Sequence, residues 1–471
     1  MYPLYSSWTS FIVVACLIQG LYASIHPITI HGQKFIDSIT KETFLIKGVD
    51  YQPGGSSAVT ANFDPLSDPN TCARDIILFQ ELGINTIRVY SVNPDLNHDI
   101  CMTLLASAGI YVVIDVNSPL ENQHLNRYEP WTTYNEFYLE HVFKVVEQFS
   151  FYNNTLGLFA GNEIINDRKS ARESPVYTKA LIRDIKTYIA YNSPRSIPVG
   201  YSAADDLNYR MPLSQYLECA EDDPFVSVDF YGVNSYQWCG EQTFYTSGYN
   251  VLVEDYAKFT KPVFFSEFGC NEVTPRLFEE VKAIFSEDMV GVFSGGLVYE
   301  YSQEANNYGL VDIDASGNVQ MLEDFEALRN QLEMVEDKPF TKTKHSPHRN
   351  IPMCEETYKN LDVSKGLPKS LAEDLILDGV SVERGNFVDL EVSNLFTKYK
   401  IFYPDGSRYP EDIGVEIVQD LSSVDISASE KPRKKTHMLM GLFNSRASTS
   451  MSITAMHLVV AVISIMASIA A

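Results

Sequence analysis

Short apolar runs alternate along this chain with longer stretches in which apolar residues return every third or fourth position. The runs at 44–49, 85–90, 111–116, 156–160, 197–201, 227–233, 262–266 and 296–299 are rich in β-branched and aromatic residues and predict strands. Helical periodicity between them covers 72–82, 135–149, 177–191 and 275–285. Eight strands with helices between them over about 300 residues match the size of an α/β fold of the (β/α)8 barrel type. The competing doubly wound sheet lacks a glycine-rich turn of the form GxGxxG after the first strand. The pattern changes after residue 330. A linker mixing charge, Pro and His leads into a small extension ending near residue 420, with β-like runs at 387–392 and 399–403.

Both ends break the rhythm. Residues 8–23 form an apolar run closing on Leu21, Ala23 and Ser24, the pattern of a secretory signal over residues 1–23. The run is short for a membrane span, and Gln19 and Gly20 weaken it further. A second apolar run, 457–471, reaches the last residue behind the small polar stretch 445–450. That order predicts a glycolipid (GPI) attachment signal, with Ser445 as the anchored residue and 446–471 removed. A tail-anchored helix would sit poorly with an N-terminal signal. Residues 421–445 then form a stalk, in which the basic run 431–435 is a solvated linker.

Composition adds limits. The 471 residues are 45% hydrophobic and 21% charged, with a net charge of -25, which is a globular balance. So acidic a chain is a poor partner for nucleic acid, whose phosphates need a basic face. Cys16 lies in the signal, leaving six Cys: Cys72, Cys101, Cys219, Cys239, Cys270 and Cys354. In an oxidising compartment they predict three disulfides, with connectivity open. No CxxC or His-Cys cluster suggests zinc, so neither metal nor cofactor is expected. Asn153 opens an Asn-Asn-Thr glycosylation sequon between a predicted helix and strand.

The candidate chemistry lies at two strand tips. Residues 156–163 end in Asn162-Glu163, and 262–269 carry Glu267 at the corresponding place, by count the fourth and seventh strands. Barrel active sites are built at this face. Two carboxylates about 5 to 5.5 Å apart suit retaining glycoside chemistry. Glu267 is then the nucleophile, Glu163 the general acid and afterwards base, and Asn162 a hydrogen-bond partner of the neighbouring sugar hydroxyl. Either Glu alone would read as a surface salt-bridge residue. Tyr51, Tyr90, Tyr231, Tyr236, Tyr299 and Tyr301 also lie near strand ends, where sugar contact and core packing are equally good explanations.

The segments Gly48-Val49-Asp50-Tyr51-Gln52-Pro53-Gly54-Gly55, Arg88-Val89-Tyr90, Gly161-Asn162-Glu163, Ala203-Ala204-Asp205-Asp206, Ser266-Glu267-Phe268-Gly269 and 295–301 occur in order. Together they resemble the fungal β-1,3-glucanosyltransferases of glycoside hydrolase family 72, over residues 27 to 330. The resemblance implies a GPI-anchored enzyme that cuts an internal β-1,3-glucan linkage and joins the new reducing end to another chain. It maps Glu163 to acid/base, Glu267 to nucleophile, and Tyr90, Asn162, Asp205, Arg210 and Tyr299 to substrate contacts. Gln52, Asp115, Asn117 and Tyr236 are implied neighbours. It also implies the pairs Cys72–Cys101, Cys219–Cys354 and Cys239–Cys270. Only Cys354 lies beyond residue 330, so the chain resembles the subgroup without a Cys-rich carbohydrate-binding module. The expected partners are glucan donor and acceptor chains and, through the anchor alone, a membrane; the protein is expected to be a monomer. Two Glu do not separate transfer from hydrolysis, so a secreted endo-β-1,3-glucanase is the alternative, and a non-catalytic glucan-binding wall protein the third reading.

Overall fold

A computed structural model describes residues 25–335 and 350–419. The signal, the stalk, Ser445 and the terminal apolar run lie outside the described residues. Eight parallel strands close into a barrel: β1 (Ile46–Asp50), β2 (Thr86–Val89), β3 (Tyr111–Asp115), β4 (Thr155–Asn162), β5 (Val199–Ala204), β6 (Phe230–Asn234), β7 (Val263–Phe268) and β8 (Phe293–Val298). Each predicted strand overlaps one of these, and the (β/α)8 expectation holds.

Local chemistry explains where the helices begin. Asp68 caps Pro69–Leu82 by accepting from the Asn70 amide, Pro69 presets the first turn, and Gly83 ends it at φ 65°. Asn135 caps Glu136–Phe149 in the same way, accepting from the Tyr138 amide. Glycine has a different use at position 48: a Cβ there would lie 1.9 Å from the Thr86 carbonyl oxygen, so the β1–β2 approach excludes any other residue.

Several expectations need correction. The apolar run 44–49 divides at Leu45: Phe44 belongs to an antiparallel sheet (Ile28–His31, Lys34–Asp37, Thr43–Phe44), and only from Ile46 does the chain enter the barrel. The helix expected over 275–285 shrinks to Glu280–Ile284, because Phe278 takes a left-handed φ of 52° that a helix does not hold. Helices Asp99–Ser107, Arg210–Glu218 and Tyr249–Tyr256 had no prediction. No strand forms over 387–392; there the Asn386 and Val388 amides donate to the side chains of Asp99 and Thr103 instead of to a ladder. The run 399–403 does supply a short strand, Ile401–Phe402, beside Val319–Met321.

The extension lies along the outer helices. Arg384 pairs with Glu147 at 2.8 Å, Asn192 donates to the Ile376 carbonyl at 2.9 Å, and the Val418 amide donates to the Ser107 carbonyl at 2.8 Å. The three disulfides join Cys72 to Cys101, Cys219 to Cys354 and Cys239 to Cys270, the pairing that the resemblance implied. Asn153 stands half-buried in the turn before β4, at the end of the strand opposite Glu163.

Inside the barrel, Phe35 from the N-terminal sheet packs on Phe230 and Phe264 at 5.8 and 6.0 Å, and Phe159 lies over both. This apolar floor fills one end and leaves the C-terminal strand tips to polar groups.

The Cys219–Cys354 bond closes a loop of sequence separation 135 and ties the extension to the barrel. Replacing both with Ser is expected to cost about 2–5 kcal/mol in stability. Thermal unfolding compared with the parent protein, followed by limited proteolysis within 350–419, checks this; an unchanged midpoint would contradict it.

Candidate active site

At the centre of the barrel the β2 strand carries a charge where an apolar side chain would ordinarily sit. Arg88 is fully buried, its guanidinium between the rings of Tyr90 (4.2 Å) and Phe159 (4.7 Å). Its Nε and Nη2 donate to the two Asp115 oxygens at 3.0 and 2.9 Å. The remaining nitrogen, Nη1, reaches Glu267 Oε1 at 3.3 Å and the Ser266 carbonyl at 3.2 Å, with Asp50 at 3.9 Å. Glu267 is thereby approached by three donors. Tyr90 donates to Oε1 at 2.8 Å and Tyr236 to Oε2 at 2.7 Å, besides Arg88.

Glu267 and Glu163 both follow irregular register. The β4–β5 pairing shifts between Phe159 and Asn162, and the β6–β7 pairing shifts between Phe265 and Glu267. Such bulges re-aim side chains at barrel rims. Glu163 goes further, with a left-handed φ of 47°, a conformation unfavourable for a residue with a Cβ.

A polar network ties Glu163 to the strand that carries Glu267. Asn234, in register with Glu267, donates to Glu163 Oε1 at 2.9 Å and to Asn162 Oδ1 at 3.0 Å. Its side-chain oxygen Oδ1 accepts from the Ser266 hydroxyl at 2.7 Å and from the Ser202 hydroxyl at 3.0 Å. Asn162 thus has its oxygen engaged inside the network, leaving its amide nitrogen as the group for a ligand. Asn162 also lines a cleft of about 740 Å³, together with Asp115, Asn117 and Tyr128.

The other candidate residues divide by what they touch. Tyr299 packs edge-on against Tyr90 and Tyr236 at 6.4 and 6.2 Å, so these three rings wall the centre. Gln52 is buried and accepts from the Tyr90 and Ser91 amides, acting on the position of Tyr90. Asn117 donates to the Ala160 carbonyl at 2.8 Å and accepts from Tyr138. Asp205 and Arg210 pair at 2.5 Å, with Ser235 donating to Asp205 and Asp255 accepting from Arg210. Tyr51 and Tyr301 are core residues instead, both donating to Asp75, and Tyr231 is buried among Tyr201, Tyr256 and Phe259.

Electrostatics follow from burial. Burial pushes the Glu267 carboxyl above the usual carboxylate range; Arg88 pulls it back, Glu163 pushes it up again, and the two tyrosine hydroxyls lower it. Burial also raises Asp50 well above that range, against Arg88 and with Glu267, and neither of its oxygens has a hydrogen-bond donor. Glu300, after β8, is pushed up to about 7 mainly by burial while accepting from Asn306. Tyr90 and Tyr236 are raised by burial and stay neutral donors. The arrangement can hold one carboxylate charged and aimed while a second, with a different environment, handles a proton.

A family model described as Glucanosyltransferase, glycoside hydrolase family 72, matches residues 18–336. The chain belongs to glycoside hydrolase family 72. Among its relatives, the 1,3-beta-glucanosyltransferase GAS4 of Saccharomyces cerevisiae is 57% identical over 91% of each chain. The Aspergillus fumigatus 1,3-beta-glucanosyltransferase gel2 is 46% identical over 83% of each. A solved structure of Saccharomyces cerevisiae Gas2p in complex with laminaripentaose is 39% identical, with a TM-score of 0.68, covering 75% of this chain and 80% of that one.

In this family 72 site, Asn234, Ser202, Ser266, Tyr308 and the role of Arg88 had escaped the sequence reading. Asn234 and the two serines carried a usable signal, since each is a polar residue at a buried place in an apolar strand. Tyr308, edge-on to Tyr299 with ring centroids 5.1 Å apart, lies in a polar loop with no periodicity to mark it.

The raised Glu267 carboxyl has a consequence for stability. A carboxyl whose folded pKa exceeds its unfolded one destabilises the fold as pH rises through the folded value. Glu267→Gln is therefore expected to raise the melting temperature at pH 7 by about 2 °C or more, and to lose that gain below pH 4. Calorimetry at the two pH values checks it, and a gain that persisted at low pH would point to packing instead.

Proposed function

We propose that this chain is a retaining β-1,3-glucanosyltransferase. The observation that carries the reading is the Glu267 carboxylate at the tip of β7, held by Arg88, Tyr90 and Tyr236, with Glu163 held by Asn234, the residue in register with Glu267 on the neighbouring strand. Family membership and relatives named 1,3-beta-glucanosyltransferase support the substrate class.

The steps follow from the geometry. Glu267 attacks the anomeric carbon of an internal glucan linkage while Glu163 protonates the departing glycosidic oxygen. The bond to the leaving chain breaks and a glycosyl ester forms on Glu267. Glu163, now ionised, takes the proton from a hydroxyl of an acceptor glucan, whose oxygen displaces Glu267. Asn162 holds the hydroxyl beside the reacting carbon, a contact that tightens as positive charge develops on the ring. Tyr90 and Tyr236 orient the nucleophile; Tyr299, Asp205 and Arg210 shape the sugar site around it.

The terminal apolar runs of the sequence support export and a GPI anchor at the outer face of the plasma membrane and cell wall. The three disulfides fit an oxidising compartment. Asn153, in its half-buried turn away from the strand tips, is the glycosylation site of this reading.

Incubation with a reduced laminari-oligosaccharide tests the reaction. Products longer than the donor are expected, and Glu163→Gln or Glu267→Gln should each lower their formation about 1000-fold. Only shorter products would make the chain a hydrolase, an endo-β-1,3-glucanase.

Tyr236→Phe tests the nucleophile's environment. The hydroxyl favours ionised Glu267, so its loss lets the carboxyl keep its proton to higher pH. The acidic limb of kcat/KM is expected to move up by about half a pH unit. A limb that stayed in place or moved down would remove Glu267 from that role.

A further inference from the structure

The disulfide that ties the extension to the barrel has an ammonium and a hydroxyl against one of its sulfurs. Lys179, on the helix Pro175–Asn192, is buried and donates to the Tyr216 carbonyl at 2.5 Å and the Cys219 carbonyl at 2.7 Å. Its Nζ also stands 3.5 Å from Cys219 Sγ. Tyr358, from the extension, donates its hydroxyl to the same sulfur at 3.2 Å and packs its ring edge-on against Tyr216. The Tyr216 carbonyl oxygen is 3.2 Å from that sulfur as well, and it is the one Lys179 engages. The hydrogen-bond partners of the ammonium are thus two carbonyls and a sulfur, none of them charged. Burial pulls Lys179 down to about 7, Lys186 adds to that, and Glu221 opposes both.

A buried cation without an anion is costly, and a thiolate at Cys219 would supply the anion. The carbonyls that Lys179 engages lie at the end of the helix Arg210–Glu218, so the ammonium also offsets the negative helix end that would oppose a thiolate there. The two sulfurs differ in access: Cys219 is buried, whereas Cys354 is half-buried between exposed Met353 and Glu355. The other disulfides have different surroundings. Cys72 and Cys101 are both buried, and the polar neighbour of Cys72 Sγ is an acceptor, the Pro65 carbonyl at 3.8 Å. A Glu272 carboxylate oxygen lies within 4.8 Å of the sulfurs of Cys239 and Cys270, where negative charge opposes both an incoming and a departing thiolate.

We propose that the Cys219–Cys354 bond is a thiol-exchange site, at which a small-molecule thiolate adds to Cys354 and Cys219 departs as a thiolate. The incoming sulfur forms a bond to Cys354 Sγ, the Cys354–Cys219 bond breaks, and its electron pair stays on Cys219 Sγ beside the Lys179 ammonium and the Tyr358 hydroxyl. One disulfide and one thiolate give one disulfide and one thiolate, so no oxidant is consumed. Exchange quickens as the departing thiol becomes more acidic, which both donors favour. The other two disulfides lie within the barrel, so exchange here releases the cross-link between barrel and extension. Lys179, Tyr358 and both cysteines take no part in the transfer chemistry above.

The test treats the full chain with reduced glutathione, alkylates free thiols at intervals and maps the peptides by mass spectrometry. Glutathione on Cys354, with the alkyl label on Cys219, is expected about tenfold sooner than opening of either other pair. Lys179→Met should slow this exchange about tenfold, and Tyr358→Phe about threefold. A variant that merely loosened the fold would exchange faster, so the direction of the change separates the two effects. Tyr358→Phe removes a single oxygen and serves alone if Lys179→Met does not fold. Glutathione on Cys219, another pair opening first, or variants that exchange as fast as the parent or faster would overturn the site.

Discussion

One buried guanidinium organises the centre of this protein. Removing a cation from water costs several kcal/mol unless opposite charge and hydrogen bonds surround it, and Arg88 is wholly buried. Asp115 meets that demand with two bonds, which fixes the guanidinium plane. The rings of Tyr90 and Phe159 lie within cation–π distance of it. Only Nη1 is then left over, and it points at Glu267. The position of the proposed nucleophile is thus set from behind by a residue that need not touch substrate.

The same cluster limits how much negative charge the barrel can carry. Asp50, Asp115 and Glu267 surround a single cation, and three ionised carboxyls there would leave a net charge of two. Asp50 has the least support, with no hydrogen-bond donor on either oxygen and burial pushing it well above the carboxylate range. A neutral Asp50 lets Asp115 and Glu267 ionise beside one cation. Glu267 still ionises at some cost to the fold, which is the stability that a reactive group in a dry site gives up.

The barrel was legible because its strands are buried on both faces and appear as plain apolar runs. The two Glu were legible for a related reason: each ends such a run, where a charge is conspicuous. Boundaries failed where tertiary contacts replaced local preference. The run 387–392 looks like a strand, yet at its start the Asn386 and Val388 amides find Asp99 and Thr103 on a helix that the sequence pattern had not marked. The tyrosines at strand ends could not be sorted by position. Tyr51 and Tyr301 turn inward because Asp75, on the first helix, offers a buried acceptor to each, and no spacing rule announces that acceptor.

The two carboxylates differ in ways that bear on their division of labour. Glu267 sits within β7, nearly enclosed, with donors on both oxygens. That environment favours a fixed anion that needs only to be approached. Glu163 lies one residue past the end of β4 in a left-handed conformation, with Asn234 donating to one oxygen, and is more exposed. A group that must give a proton to one oxygen and later take one from another needs an accessible lone pair and room for two partners in turn. Asn234 restrains Glu163 without occupying both its oxygens, and because Asn234 also lies in register with Glu267, a shift in one carboxylate's strand is felt by the other. The proposed reacting pair is therefore positioned as a unit, by the strand register of β6 and by one amide side chain.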